Sequence, residues 1–214
     1  LSKIIMETDA DIFRVEVHTS KIRSSVVRIA ITKKSDFSDK RYMFRRFQRK
    51  SRTQSQPETG ITVTGNIAGN GGGIYASGTA KVTLNGAALS GNTATASGGG
   101  LYLANGTSLE MLNNSTVSTN SAANGAGIYA EAGSILMLNS GSISNNTATS
   151  DGGGIWTATD IALATGFTVT GNSAVNGGGV YASGSALITI DEGGNIDLNT
   201  AANGGGIYLA GSSV

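Results

Sequence analysis

The side chains in this sequence that could do chemistry are few and widely scattered. After residue 60 the acids are Glu110, Glu131, Asp151, Asp160, Asp191, Glu192 and Asp197, and the only base is Lys81. A pair of carboxylates about 5–9.5 Å apart could hydrolyse a glycosidic bond. Clustered carboxylates holding Ca²⁺ beside an Arg or Lys base could run a polysaccharide lyase. Most of these acids, however, fall at different phases or in different copies of a repeating unit. Asp191, Glu192 and Asp197 are close in sequence and read as a weak cation site or as solvated loop acids, the loop reading being the simpler. His18 is the only histidine and cysteine is absent, so a histidine base lacks partners and a thiolate metal site is excluded. The expectation is therefore a chain without catalytic residues, without a metal site and without a cofactor.

The pattern behind these residues is a short phrase. Gly71 to Tyr75 reads GGGIY, and it returns as GGGLY, GAGIY, GGGIW, GGGVY and GGGIY, ending at Tyr102, Tyr129, Trp156, Tyr181 and Tyr208. The steps between these aromatics are 27, 27, 27, 25 and 27 residues. A fixed period of this length is the signature of a solenoid. Within one unit, Ile74, then Val82 and Leu84, then Leu89 mark three short extended segments with period-2 alternation, separated by Gly, Asn and Ser. Helical spacing is absent, and glycine inside a helix costs about 1 kcal/mol per residue. The fold class is all-β: a right-handed parallel β-helix with three short strands per turn and about five to six turns, stacked at about 4.8 Å.

Three inward columns follow. The first is Ile74, Leu101, Ile128, Ile155, Val180 and Ile207. The second pairs Val82/Leu84, Leu109/Met111, Leu136/Leu138, Ile161/Leu163 and Ile188/Ile190. The third is Val63, Leu89, Val117, Ile143, Val169 and Ile196. Three residues beyond the third column stand Asn66, Asn92, Asn120, Asn146, Asn172 and Asn199, which read as a structural ladder of stacked amides. Gly73, Gly100, Gly127, Gly154, Gly179 and Gly206 recur without substitution, whereas Ala126 is accepted one place earlier. Such a position needs a positive φ or a close backbone approach. If Ile74 points inward, Tyr75 points outward, and Tyr75, Tyr102, Tyr129, Trp156, Tyr181 and Tyr208 form an aromatic strip. Two readings of the strip stay open: a binding surface for sugar rings, or rings that stack on one another to stabilise the face.

Residues 1–60 are a different kind of sequence. They carry 14 basic and 7 acidic residues, against 1 and 7 in residues 61–214. Phe13, Val15 and Val17 alternate with polar residues as a strand does, and so do Val27, Ile29 and Ile31. A basic run from Lys40 to Arg52 follows. It reads as a linker, as a non-native segment, or as a patch for nucleic acid or an anionic membrane. The chain thus divides into a basic N-terminal segment, 1–60, and a repeat domain, 61–214. The repeats open at the third strand of a turn and stop in mid-turn without visible caps, which implies a natural protein that continues at both ends. No apolar run is long enough for a transmembrane helix. The acidic repeat region does not suit nucleic acid.

Two signatures now stand together: GG[GA][ILV] followed by an aromatic, and an apolar residue separated by two others from Asn, as in Val63-Thr64-Gly65-Asn66. They resemble the GGAI and FxxN repeats of the polymorphic outer-membrane (chlamydial-type) proteins. More broadly they are similar to right-handed β-helix passenger and adhesin domains of bacterial surface proteins. The likeness covers about residues 61–214 and departs from the family in having Gly for Ala and an aliphatic for Phe. It implies a secreted or surface-displayed, non-catalytic β-helix stalk of autotransporter-passenger type at the cell surface, with host or environmental glycans or surface proteins as partners. The alternative is a carbohydrate-binding or carbohydrate-active β-helix whose catalytic loops lie outside this sequence. A third reading is an ice-binding face, built on the hydroxyl columns running from Thr62 and Thr64 to Asn195 and Asp197. Ser, Ala and Asp interrupt those columns.

Overall fold

The computed structural model describes residues 3–9, 12–18, 27–30 and 61–211. The basic run Lys40–Arg52 lies outside them. Among the described residues every regular element is a β-strand, as expected where glycine is frequent and short β-branched segments alternate with turn residues.

Residues 61–211 wind into a parallel β-solenoid whose strands form four stacked sheets. The first sheet carries the GGG[ILV]-aromatic phrase, in strands Ile74–Ala76, Leu101–Leu103, Ile128–Ala130, Ile155–Thr157, Val180–Ser183 and Ile207–Ala210. The second holds Lys81–Asn85, Ser108–Leu112, Ile135–Leu138, Ile161–Leu163 and Ile188–Ile190. The third runs through Thr62–Thr64, Ala88–Ser90, Ser115–Ser118, Gly141–Ser144, Thr168–Thr170 and Asn195–Asp197. The fourth was not anticipated from sequence. It consists of Ile67–Asn70, Thr93–Ser97, Ser121–Ala122 and Thr147–Ala148, and single bridges at Ser173 and Thr200 continue it. The three expected sides are present, and these strands add a fourth beside them. The added side has its own small core of Ala94, Ala122, Ala126 and Ala148.

The three aliphatic columns meet in one continuous core, in which Leu89, Leu101, Leu109, Ile128, Ile155 and Val169 are fully buried. Ile190 departs from the expected inward column. It ends the second sheet and is 45% exposed, because no later strand of that sheet closes over it. Phe167 fills the core at a point where the aligned positions one turn before and one turn after are Gly141 and Gly194.

Turn length varies without loss of register. Consecutive Asn rungs are 26, 28, 26, 26 and 27 residues apart, yet the strands pair residue for residue across turns. The extra residue in the longest step is taken up at a corner, where Asn113 and Asn114 adopt φ values of 51° and 56°. Asn is the non-glycine residue that tolerates this region best.

The N-terminal strands Lys3–Asp9, Ile12–His18 and Val27–Ala30 form an antiparallel sheet. Its third strand joins the second sheet of the solenoid at Ile29↔Val82. Where no cap was legible in the sequence, Val27–Ala30 borders the edge of Lys81–Asn85. Two of the three N-terminal strands follow the expected alternation; Lys3–Asp9 had no clear signal.

Candidate functional site

The aromatic strip is built by register. The parallel pairing that aligns Ile74, Leu101 and Ile128 also aligns Tyr75, Tyr102, Tyr129, Trp156, Tyr181 and Tyr208. Their ring centroids are separated by 5.0, 4.9, 4.2, 6.0 and 5.3 Å, and adjacent planes lie within 14° of parallel. The rings are stacked face against face. Each inner ring has both faces covered by its neighbours, so a sugar cannot lie flat on it. What reaches solvent is a row of ring edges and phenol hydroxyls, with Tyr75 at one end 54% exposed.

Two acids flank the strip. Glu131, two residues beyond Tyr129, accepts the Tyr102 O–H with one carboxylate oxygen and the Asn105 backbone N–H with the other, at 3.0 Å. Burial pushes the Tyr102 phenol well above its ordinary value, and the hydrogen bond and charge of Glu131 push it further. Tyr129 is raised by burial and then by Glu131. Tyr181 is raised by burial, then by Asp151 and Tyr208. Asp151 accepts the Asn176 side-chain amide at 2.8 Å, and Asn203 donates in turn to Asn176 at 2.8 Å. A short polar column thus runs beside the rings. The strip–carboxylate contacts were not legible as pairs in the sequence. The usable signal was that Tyr102 and Glu131 are 29 residues apart, one turn plus two.

Two of the remaining acids are occupied separately. Asp160 accepts the Leu187 N–H at 2.8 Å, and Asp197 accepts the Asn195 amide at 2.8 Å. Among the described residues no three of His, Cys, Asp and Glu are grouped so as to hold a metal ion.

The asparagines form a second, internal ladder. Asn92, Asn120, Asn146 and Asn172 are buried. In each, Oδ1 accepts both the backbone N–H and the Nδ2–H of the preceding rung, as Asn120 does from Asn92 at 2.9 and 3.0 Å. Nδ2 donates to the next rung and also to a third-column carbonyl of the previous turn, as Asn120 does to Asn146 at 2.9 Å and to Leu89 at 3.1 Å. All four capacities of the amide are used, which is what a buried amide needs.

The glycine phrase divides its work. The first glycine of each triplet has positive φ, from 55° to 70°. The third meets the ladder: a Cβ at Gly100 would stand 2.6 Å from the Gly127 carbonyl oxygen and 3.0 Å from the Asn120 Nδ2. That position is therefore fixed by contact rather than by φ.

Two stretches of the chain, residues 60–77 and 140–158, match the Chlamydia polymorphic membrane protein repeat. This is a polymorphic-membrane-protein-like β-helix repeat protein. Each matched stretch runs from a third-column aliphatic through an Asn rung and a glycine triplet to an aromatic: Val63, Asn66 and Tyr75 in one, Ile143, Asn146 and Trp156 in the other. The repeat thus corresponds to the part of the turn that carries a member of each ladder. No curated protein and no solved structure matches the chain.

Proposed function

We propose that this chain is the repeat portion of a surface-displayed, non-catalytic β-helix stalk that also adheres to a partner through its aromatic strip. The observation that carries this reading is where the repeating residues are used. The aliphatic columns, the Asn ladder and the ring stack all join one turn to the next. Residues repeated for that purpose make a rod, and further turns lengthen it without altering its sides. The polymorphic-membrane-protein repeats support placement at the cell surface.

Adhesion falls to the strip because it combines apolar ring edges with hydroxyls, flanked by Glu131 and Asp151. A ligand would meet the ring edges and phenol hydroxyls, since the inner faces are closed. This favours polyhydroxylated glycans or surface proteins bound by hydrogen bonds along the row. Binding of the purified chain to a glycan array and to host-cell surfaces, with Tyr129→Ala and Trp156→Ala compared with the parent, tests it. Loss of binding in variants that keep their far-ultraviolet circular dichroism supports adhesion through the strip. Retained binding in both refutes that role, and turnover of a polysaccharide by the chain refutes the non-catalytic assignment.

A further inference from the structure

Five of the chain's six tyrosines and its only tryptophan stand in one ladder. These are the side chains most readily oxidised by one electron. Their near-parallel planes and close centroids let the π-systems of adjacent rings overlap. The spacing is uneven: Trp156 is 4.2 Å from Tyr129 and 6.0 Å from Tyr181. The indole is therefore coupled more strongly toward Tyr102 than away from it.

An oxidised phenol is a strong acid, so it becomes a stable radical only where a base takes its proton. Among the described residues, Tyr102 is the ladder phenol that donates its O–H to a carboxylate, that of Glu131. Glu131 is fixed by a second bond from the Asn105 N–H, so the base is in place before oxidation.

We propose that the ring ladder conducts one-electron oxidation along the stalk and that the Tyr102–Glu131 pair traps the oxidising equivalent. The substrate class is a diffusible one-electron oxidant, such as a radical derived from peroxide. The oxidant takes one electron from an accessible ring and is reduced. The electron vacancy passes between stacked rings. At Tyr102 the O–H bond breaks, the proton goes to the Glu131 carboxylate, and a neutral phenoxyl radical remains beside a protonated Glu131.

The test uses the full chain carrying Tyr42→Phe, which removes the one tyrosine outside the ladder. Flash-generated tris(bipyridyl)ruthenium(III) serves as the oxidant, and transient absorption follows the indolyl and phenoxyl radicals. The expected result is an indolyl signal that decays as the phenoxyl signal rises, with a solvent deuterium effect on the second step. Glu131→Gln should slow phenoxyl formation about tenfold, the scale of a hydrogen bond to a charged partner, and leave indolyl formation unchanged. Trp156→Phe keeps a ring in the stack and should lower phenoxyl yield. Tyr102→Phe, which leaves the carboxylate in place, is the second probe should Glu131→Gln disturb folding, and it should give the same slowing. Phenoxyl formation at the parent rate in Glu131→Gln or in Tyr102→Phe overturns the proposal. So does a phenoxyl signal that rises without any decay of the indolyl signal.

Discussion

Replacing Asn120 by alanine removes one rung from the middle of the internal ladder, and the cost can be worked from its partners. The Oδ1 of Asn120 is the acceptor for the Asn92 N–H and for one Nδ2–H of Asn92. Asn92 is fully buried, so both donors are left without an acceptor. The Leu89 carbonyl loses the donor from Asn120 Nδ2. A buried polar group left unpaired costs about 1–3 kcal/mol. Two donors and a carbonyl, allowing for incomplete additivity, give roughly 3–6 kcal/mol, a large fraction of the 5–15 kcal/mol typical of a folded domain. Guanidinium unfolding followed by circular dichroism measures it. The gradient along the ladder is a sharper check than the single value. Asn66 is exposed and serves only as a donor to Asn92, so Asn66→Ala should cost under about 1 kcal/mol. Asn120→Asp supplies the sign test. It keeps an acceptor for Asn92 but turns a carboxylate toward two other acceptors, the Leu89 carbonyl and the Asn146 Oδ1. Its folded pKa is expected above the ordinary 3.9, so the stability it retains is present at acid pH and is lost as pH rises through that folded pKa. A loss below about 1 kcal/mol for Asn120→Ala, or equal losses at Asn66 and Asn120, would refute the reasoning.

Three further outcomes follow from the same contacts. Gly100→Ala should destabilise by about 1–3 kcal/mol or more, because its Cβ meets the Gly127 carbonyl, Val117 and Asn120 within 3.0 Å; at Gly78, where a Cβ meets nothing within 4 Å and φ is +69°, alanine should cost only about 1–2 kcal/mol of backbone strain. Phe167→Ala should cost about 3–5 kcal/mol in thermal or denaturant unfolding, since the aligned glycines cannot refill the cavity. Stability should fall in alkali: Tyr102, Tyr129 and Tyr181 all have raised folded values, so their contribution is full below the unfolded value of about 10 and is lost as pH rises through the folded ones. Melting curves taken alongside phenolate absorbance check this, and phenolate appearing near pH 10 in the folded chain would contradict it.

The strand alternation and the 27-residue steps were enough to read the parallel solenoid and its aliphatic columns, because both express directly what a stacked core must bury. The fourth side was not legible. Thr93-Ala94-Thr95-Ala96 offers only methyl groups to an interior, and later copies shorten to pairs such as Ser121–Ala122, so neither hydrophobicity nor length marks a strand. The glycine triplet showed that something was sterically fixed but not what. A positive φ at the first glycine and a carbonyl pressed against the third look the same in one-letter code.

The ring stack is the instructive case, because its geometry followed from a number already in hand. Parallel strands in register repeat at about 4.8 Å. Rings carried at the same position on each strand are held at that separation, which is close to face-to-face contact and leaves no room for the wider edge-to-face arrangement that aromatic pairs otherwise favour. The observed spacings of 4.2–6.0 Å sit around that value. In a parallel solenoid, then, an uninterrupted aromatic column closes its own faces. Any partner the strip takes must be read from what the rings leave outside: edges, hydroxyls, and the carboxylates of Glu131 and Asp151 beside them. A sugar platform that offers open ring faces calls for the opposite pattern, aromatics on alternate turns with small residues between them.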